Sequence, residues 1–194
     1  MRKAVVKRKT KETDIMIKLE LDGNGRHKIS TGIAFLDHML SLFAKHGLFD
    51  IELKAKGDLD VDLHHTNEDI GIALGEVFAK TLKDKRNLVR FADAFTVLDE
   101  SLVRVIVDIS GRPYLRIKPK SSKLSGKGYN YGSFTQLLRA FVNGLSITVH
   151  IDVLQGEDFH HILECCFKGL ALALDKATRI DQRKKGLPTT KGKL

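Results

Sequence analysis

The chain states one pattern twice, and the duplication constrains the fold more than any other feature. Ile15, Ile17, Leu19 and Leu21 alternate with charged residues such as Lys18 and Glu20 and run into Asp22-Gly23-Asn24-Gly25, a strong turn signal. Val103, Val105, Val107 and Ile109 alternate likewise and reach Ser110-Gly111-Arg112-Pro113. Each of these hairpins is followed by an amphipathic helix, one carrying Phe35, Met39, Leu40 and Phe43, the other Phe134, Leu137, Leu138 and Phe141. A second alternating strand comes next, through Phe49, Ile51, Leu53 and Ala55 in one half and Ile147, Val149, Ile151 and Val153 in the other. Both halves close with a double histidine that opens a further helix, His64-His65-Thr66-Asn67-Glu68 and His160-His161-Ile162-Leu163-Glu164, 96 positions apart in a chain of 194.

A unit of this kind has one apolar sheet face to bury, and two copies bury their helices against each other. The duplication therefore predicts an α+β fold of two pseudo-repeated hairpin–helix–strand–helix halves, with the helices sandwiched between two sheets. We expect one domain over 1–194, its repeats spanning about 1–90 and 91–180. The stretch Pro119 to Gly132, rich in Lys, Ser and Gly, reads as a loop; the basic tail from 181 to 194 has no apolar period and is expected to be mobile.

Charge narrows the partners. Thirty-three Lys and Arg against 24 Asp and Glu give a formal charge of +9, which suits an anionic partner. A basic RNA-binding α+β protein is one alternative, but it predicts Arg interleaved with aromatics, whereas aromatics are 7% and Trp is absent. No apolar run approaches the roughly 20 residues that cross a bilayer, and Met1-Arg2-Lys3-Ala4 lacks the apolar core of a secretory signal. The expectation is a cytoplasmic protein without nucleic-acid or membrane partners. Cys165 and Cys166 are neighbours and cannot staple distant segments, so they read as reduced thiols packed in a helix.

The two His-His-x-x-Glu motifs carry the chemistry. On a helix either histidine of a pair can share a face with the glutamate three or four residues on, but adjacent residues point about 100° apart. One ion cannot take both histidines of a pair, so the duplication points to two ions with each motif contributing to both. Imidazole with carboxylate suits Mn²⁺, Fe²⁺, Co²⁺ or Zn²⁺, and an open six-coordinate site favours manganese. No cysteine lies within the motif, which speaks against a structural zinc site. His38 is a further candidate ligand, with Asp37 a candidate to orient it.

These residues resemble the imidazoleglycerol-phosphate dehydratase family of histidine biosynthesis along nearly the whole chain. The likeness runs through Arg8-Lys9-Thr10-Lys11-Glu12-Thr13, Leu36-Asp37-His38-Met39-Leu40, His64-His65-Thr66-Asn67-Glu68-Asp69 and Asp99-Glu100-Ser101-Leu102. It continues through Asp108-Ile109-Ser110-Gly111-Arg112-Pro113, His160-His161-x-x-Glu164-x-x-Phe167-Lys168 and Pro188-Thr189-Thr190-Lys191-Gly192. The resemblance implies a hydro-lyase that converts D-erythro-imidazole-glycerol phosphate to imidazole-acetol phosphate. It implies two Mn²⁺ per active site that hold the substrate ring as imidazolate, and a homo-oligomer of 24 subunits with shared sites. Carried over residue by residue, the metal ligands are His38, His64, His65, Glu68, His160, His161 and Glu164. Substrate contacts fall on Glu12, His46, Arg90, Arg112, Lys168, Thr189 and Lys191. The chemistry also needs proton transfer, for which Glu12, Glu68 and Glu164 are the candidate carboxylates. One departure stands out: the family's usual metal-binding histidine 24 residues before the second pair is here Gln136, a weaker ligand, which also leaves a non-catalytic metal-binding homologue as an alternative.

Overall fold

Both halves lay down their strands in the same spatial order. The computed structural model describes residues 2–118, 125–126 and 128–192. The first half consists of β1 (Lys3–Lys9), β2 (Thr13–Glu20), β3 (His27–Ser30), α1 (Ala34–His46), β4 (Asp50–Gly57) and α2 (His64–Thr81). The second consists of β5 (Phe91–Leu98), β6 (Ser101–Asp108), β7 (Tyr114–Lys118), a two-residue pair β8 (Ser125–Gly126) and β9 (Tyr129–Asn130), α3 (Tyr131–Leu145), β10 (Thr148–Gln155) and α4 (Phe159–Thr178). One sheet runs β1-β2-β4-β3 and the other β5-β6-β10-β7. The expected α+β sandwich of two repeated halves is borne out. The Lys-, Ser- and Gly-rich stretch from Pro119 falls partly outside the described residues, at 119–124 and 127.

The strand order corrects the two hairpins. β2 and β3 do not pair, because β4 lies between them, antiparallel to β2 (Ile17 opposite Leu53) and parallel to β3 (Ile29 opposite Leu53). β10 separates β6 from β7 in the same way. A central strand has backbone groups on both edges to satisfy, and a split pair of neighbours satisfies them. The Asp22–Gly25 turn is held by β4 instead: Asp50 Oδ1 accepts from the Asn24 and Arg26 N–H groups at 2.8 and 2.9 Å.

The true hairpins are β1–β2 and β5–β6, and their first strands leave no readable alternation. In β1 only Val6 is fully buried, with Ala4 partly buried beside the core. In β5 the inward positions are Ala94 and Thr96, whereas Phe91, Phe95 and Val97 face outward at 58, 58 and 69% exposure. α4 lies closely on this sheet. A Cβ at Gly169 would come 2.7 Å from Val105 Cγ2 and 3.1 Å from Thr96 Oγ1, so the helix backbone rests directly on the sheet at this point.

The helices pair across the halves. α2 packs on β1 and β2 and against α3, and α4 packs on β5 and β6 and against α1. One apolar core therefore runs through both halves, from Val6 and Ile17 to Phe141 and Leu174. The α2–α3 crossing is made by glycines: a Cβ on Gly75 would meet the Phe141 carbonyl oxygen at 2.5 Å and Gly144 Cα at 2.9 Å. Among the described residues no helix is long and apolar enough to cross a membrane.

Cys165 and Cys166 are buried in α4, and burial pushes the Cys165 thiol up to about 11 and Cys166 higher still. A thiol reagent at pH 8 is expected to label neither in the native protein and both after unfolding in guanidinium, read by mass spectrometry.

The basic tail, expected to be mobile, is instead stitched down over much of its length. Asn87 and Gly186 exchange hydrogen bonds (Asn87 N–H to Gly186 O, 2.8 Å; Gly186 N–H to Asn87 Oδ1, 2.9 Å). Lys184 Nζ donates to the Leu88 and Val89 carbonyls at 3.0 and 2.7 Å. The tail adds its own backbone partners to the segment before β5, a form of order that hydropathy does not record.

Candidate active site

Each double histidine sits on the first turn of a helix, where backbone N–H groups lack intrahelical partners. Asp158 Oδ1 accepts from the His160 and His161 N–H groups at 2.6 and 3.2 Å, and Asp62 Oδ1 accepts from His64 N–H at 2.6 Å. The capping fixes where the rings leave the helix, and helical rotation then splays each pair. The His64 and His65 rings lie 88° apart and the His160 and His161 rings 85° apart.

The first histidine of each pair turns toward its own glutamate. His160 Nε2 lies 3.3 Å from Glu164 Oε2, and His38 Nε2, reaching in from α1, lies 3.6 Å from the same oxygen. These three ligand atoms lie within 4.8 Å of one another. Two imidazoles and a carboxylate form a donor set that fits a divalent transition-metal ion. Partial burial works against the charge on Glu164, but Lys168, which donates to its Oε1, together with His38 and His160 outweighs this and holds its pKa below the usual value.

The matching corner of the other half is built alike but not identically. His64 Nε2 lies 3.7 Å from Glu68 Oε2. Where α1 brings His38 to the first corner, α3 brings Gln136, with its Nε2 at 2.6 Å from His64 Nε2 and 3.4 Å from Glu68 Oε2. Each corner thus joins a helix of one half to a helix of the other.

The second histidine of each pair turns to a different carboxylate. His65 Nδ1 bonds Asp58 Oδ2 at 2.9 Å, with Glu12 Oε2 at 3.7 Å, and His161 Nδ1 bonds Glu100 Oε2 at 2.8 Å. These hydrogen bonds raise both imidazole pKa values, and the one from His161, with the Asp158 N–H, depresses that of Glu100 strongly. A carboxylate on Nδ1 fixes the ring orientation and leaves Nε2 as the free ligand atom of the neutral ring. Asp58 and Glu100 had no assigned role from sequence. The duplication held the signal for Glu100, because Glu12 and Glu100 both sit immediately before the second strand of a half.

Asp37 does not orient His38. It accepts from the Thr31 N–H at 2.8 Å and the Thr31 hydroxyl at 2.6 Å, tying down the loop before α1, because neighbouring helical residues diverge.

The expected substrate contacts fall in separate places. Lys168 and His46 lie by the His38–His160–Glu164 corner, where partial burial and the Lys168 charge lower the His46 pKa. Glu12 lies by His65. Arg90 Nε donates to Asp108 Oδ1 at 2.8 Å and its Nη1 to the Pro188 carbonyl at 2.7 Å, next to Thr189, whose hydroxyl accepts from the Lys191 N–H at 3.1 Å. Arg112 lies not in a hairpin but in the crossing from β6 to β7, where its N–H donates to Ser110 Oγ at 3.1 Å. Among the described residues no hydrogen bond or ion pair joins Arg112 or the Arg90–Pro188 group to either histidine corner.

The chain's likeness to known proteins extends over its whole length. A family model described as imidazoleglycerol-phosphate dehydratase matches residues 31–174. A protein of that name from Thermoanaerobacter pseudethanolicus is 53% identical over 193 residues, 99% of each chain. Another from Geobacter sulfurreducens is 47% identical over 193 residues, 100% of this chain and 99% of its relative. Among solved structures, IGPD from Pyrococcus furiosus superposes with a TM-score of 0.85 at 39% identity, covering 97% of this chain and 100% of the other. The Staphylococcus aureus imidazoleglycerol-phosphate dehydratase gives 0.82 at 35%, covering 92% and 99%.

Proposed function

The chain belongs to the imidazoleglycerol-phosphate dehydratase family, and from that premise we propose how its own residues carry the reaction. It is an enzyme that dehydrates imidazoleglycerol phosphate in histidine biosynthesis. Our reading is that it works with two divalent ions, Mn²⁺ by preference, one held by His38, His160 and Glu164 and the other at His64 and Glu68. The convergence of the first three ligand atoms within 4.8 Å carries the first of these sites, and the repeated His64–Glu68 corner supports the second. His65 and His161, held through Nδ1 by Asp58 and Glu100 away from these corners, offer Nε2 to complete the donor sets of neighbouring copies of the chain.

When bound, the ions supply Lewis-acid polarisation of the substrate's imidazole ring, which eases loss of the hydroxyl on the adjoining carbon. The chain supplies the rest. Glu164 is kept anionic by Lys168 and so holds His38 and His160 at the corner. To Glu12, whose Oε2 lies 3.7 Å from His65 Nδ1, we assign proton transfer at the reacting carbon. Lys168 and His46 by the first corner, joined by Arg112, Arg90, Thr189 and Lys191 across copies of the chain that share a site, are the donors for an anionic phosphate.

The outward Phe91, Phe95 and Val97, with Ile106, Tyr114 and Leu154 also exposed, support assembly with further copies of the chain, 24 by our reading. We place the enzyme in the cytoplasm. Turnover of imidazoleglycerol phosphate after exhaustive chelation tests the metal reading. Loss of turnover with recovery on adding Mn²⁺ is expected, and turnover unaffected by chelation overturns it.

A further inference from the structure

We infer that Gln136 is a fixed amide that stands where a cation would sit in the His64–Glu68 corner, so that the two metal sites of this chain load unequally. The inference rests on the two-ion reading above and adds the polarity of one side chain to it.

The amide's orientation follows from its neighbours. The Ser133 carbonyl can only accept, so the buried Asn67 must turn its NH₂ toward it, at 2.8 Å. The second hydrogen of that NH₂ meets Gln136 Oε1 at 3.1 Å, while Asn67 Oδ1 accepts from the buried Tyr129 hydroxyl at 2.9 Å. Flipping Asn67 would set oxygen against oxygen. With its own oxygen so engaged, Gln136 presents its NH₂ to His64 Nε2 at 2.6 Å and to Glu68 Oε2 at 3.4 Å. An amide nitrogen has no lone pair for a cation, and here it also occupies the lone pair of His64. The opposite corner has at this place an imidazole, His38, whose nitrogen has a lone pair to give a cation.

For an ion to enter the Gln136 corner, the amide must leave His64 and turn, and its oxygen must abandon a buried Asn67 hydrogen. Losing such a supporting hydrogen bond typically weakens metal binding about 10- to 100-fold. The first corner therefore loads first, and the second fills only at higher metal concentration.

Mn²⁺ titration of the metal-depleted protein, followed by electron paramagnetic resonance and isothermal calorimetry, tests this without reference to activity. The wild type is expected to bind one ion per chain tightly and a second about 10- to 100-fold more weakly. Gln136→His is expected to bring the second to within a few-fold of the first, and Gln136→Glu to strengthen it as well, since a carboxylate can accept from Asn67 and ligate together. The mirror variant His38→Gln is expected to leave two weak sites. Two equal sites in the wild type, or a second site unmoved by both Gln136 variants, overturns the inference and leaves the proposed function standing. No Mn²⁺ bound at all overturns the two-ion reading itself.

Discussion

Glu164→Gln is expected to lower turnover of imidazoleglycerol phosphate by about 10²–10⁴-fold at saturating Mn²⁺, the range for loss of a positioned acid–base group, because Glu164 is by our reading a proton-transferring carboxylate as well as a ligand. The substitution keeps the shape of the side chain and changes its chemistry. Oε2 is the atom that His160 Nε2 and His38 Nε2 approach at 3.3 and 3.6 Å, and Oε1 receives Lys168. An amide there offers one neutral oxygen for what two carboxylate oxygens now do, and it strands the Lys168 ammonium without its partner. Glu164 is also the better-enclosed glutamate, its side chain 12% exposed against 48% for Glu68, so water replaces it less well. Steady-state kinetics on the Mn²⁺-loaded variant measure the loss; retention of more than a tenth of wild-type turnover would place the reacting carbon elsewhere.

The second large effect concerns stability. Alanine is ordinarily preferred to glycine inside a helix by about 1 kcal/mol, yet Gly75→Ala is expected to destabilise the chain by about 1–3 kcal/mol, the usual cost of overpacking. The new Cβ would lie 2.5 Å from the Phe141 carbonyl oxygen and 2.9 Å from Gly144 Cα. Both are backbone atoms, so the clash is relieved only by moving α2 away from α3. The same displacement would carry His64 and Glu68 away from Gln136. Urea unfolding followed by circular dichroism checks the sign, and a variant at least as stable as wild type would mean that the two helices separate freely.

Much of the fold was legible because its central strands alternate cleanly. Ile15, Ile17 and Leu19 in β2 and Val103, Val105 and Val107 in β6 all point to the core, and the helices after them are amphipathic. The outer strands were not legible, for opposite reasons. β1 sends a single full-sized residue inward, and β5 turns its phenylalanines outward and buries Ala94 and Thr96 instead. The split order β2-β4-β3 was invisible as well, since a turn signal marks where the chain bends and not which strand it meets next. At the site, the divergence of neighbouring histidines followed from helix geometry alone. The pairing of His161 with Glu100 did not, because it depends on the turn between β5 and β6, and β5 had no signal. The polarity of Gln136 lay furthest from view, being set by a carbonyl three residues away and by a tyrosine hydroxyl donated to Asn67.

The crosswise pairing of the helices has a consequence for how such a protein can change. His38 belongs to the first repeat and serves the corner of the second, whereas Gln136 belongs to the second and serves the corner of the first. Two identical unlinked half-chains would be bound to carry the same side chain at both places. A covalent tandem is under no such obligation, and each copy is free to drift separately. A protein of this design can therefore give up its symmetry one corner at a time, keeping one copy of an inherited cluster while the other is put to a different use.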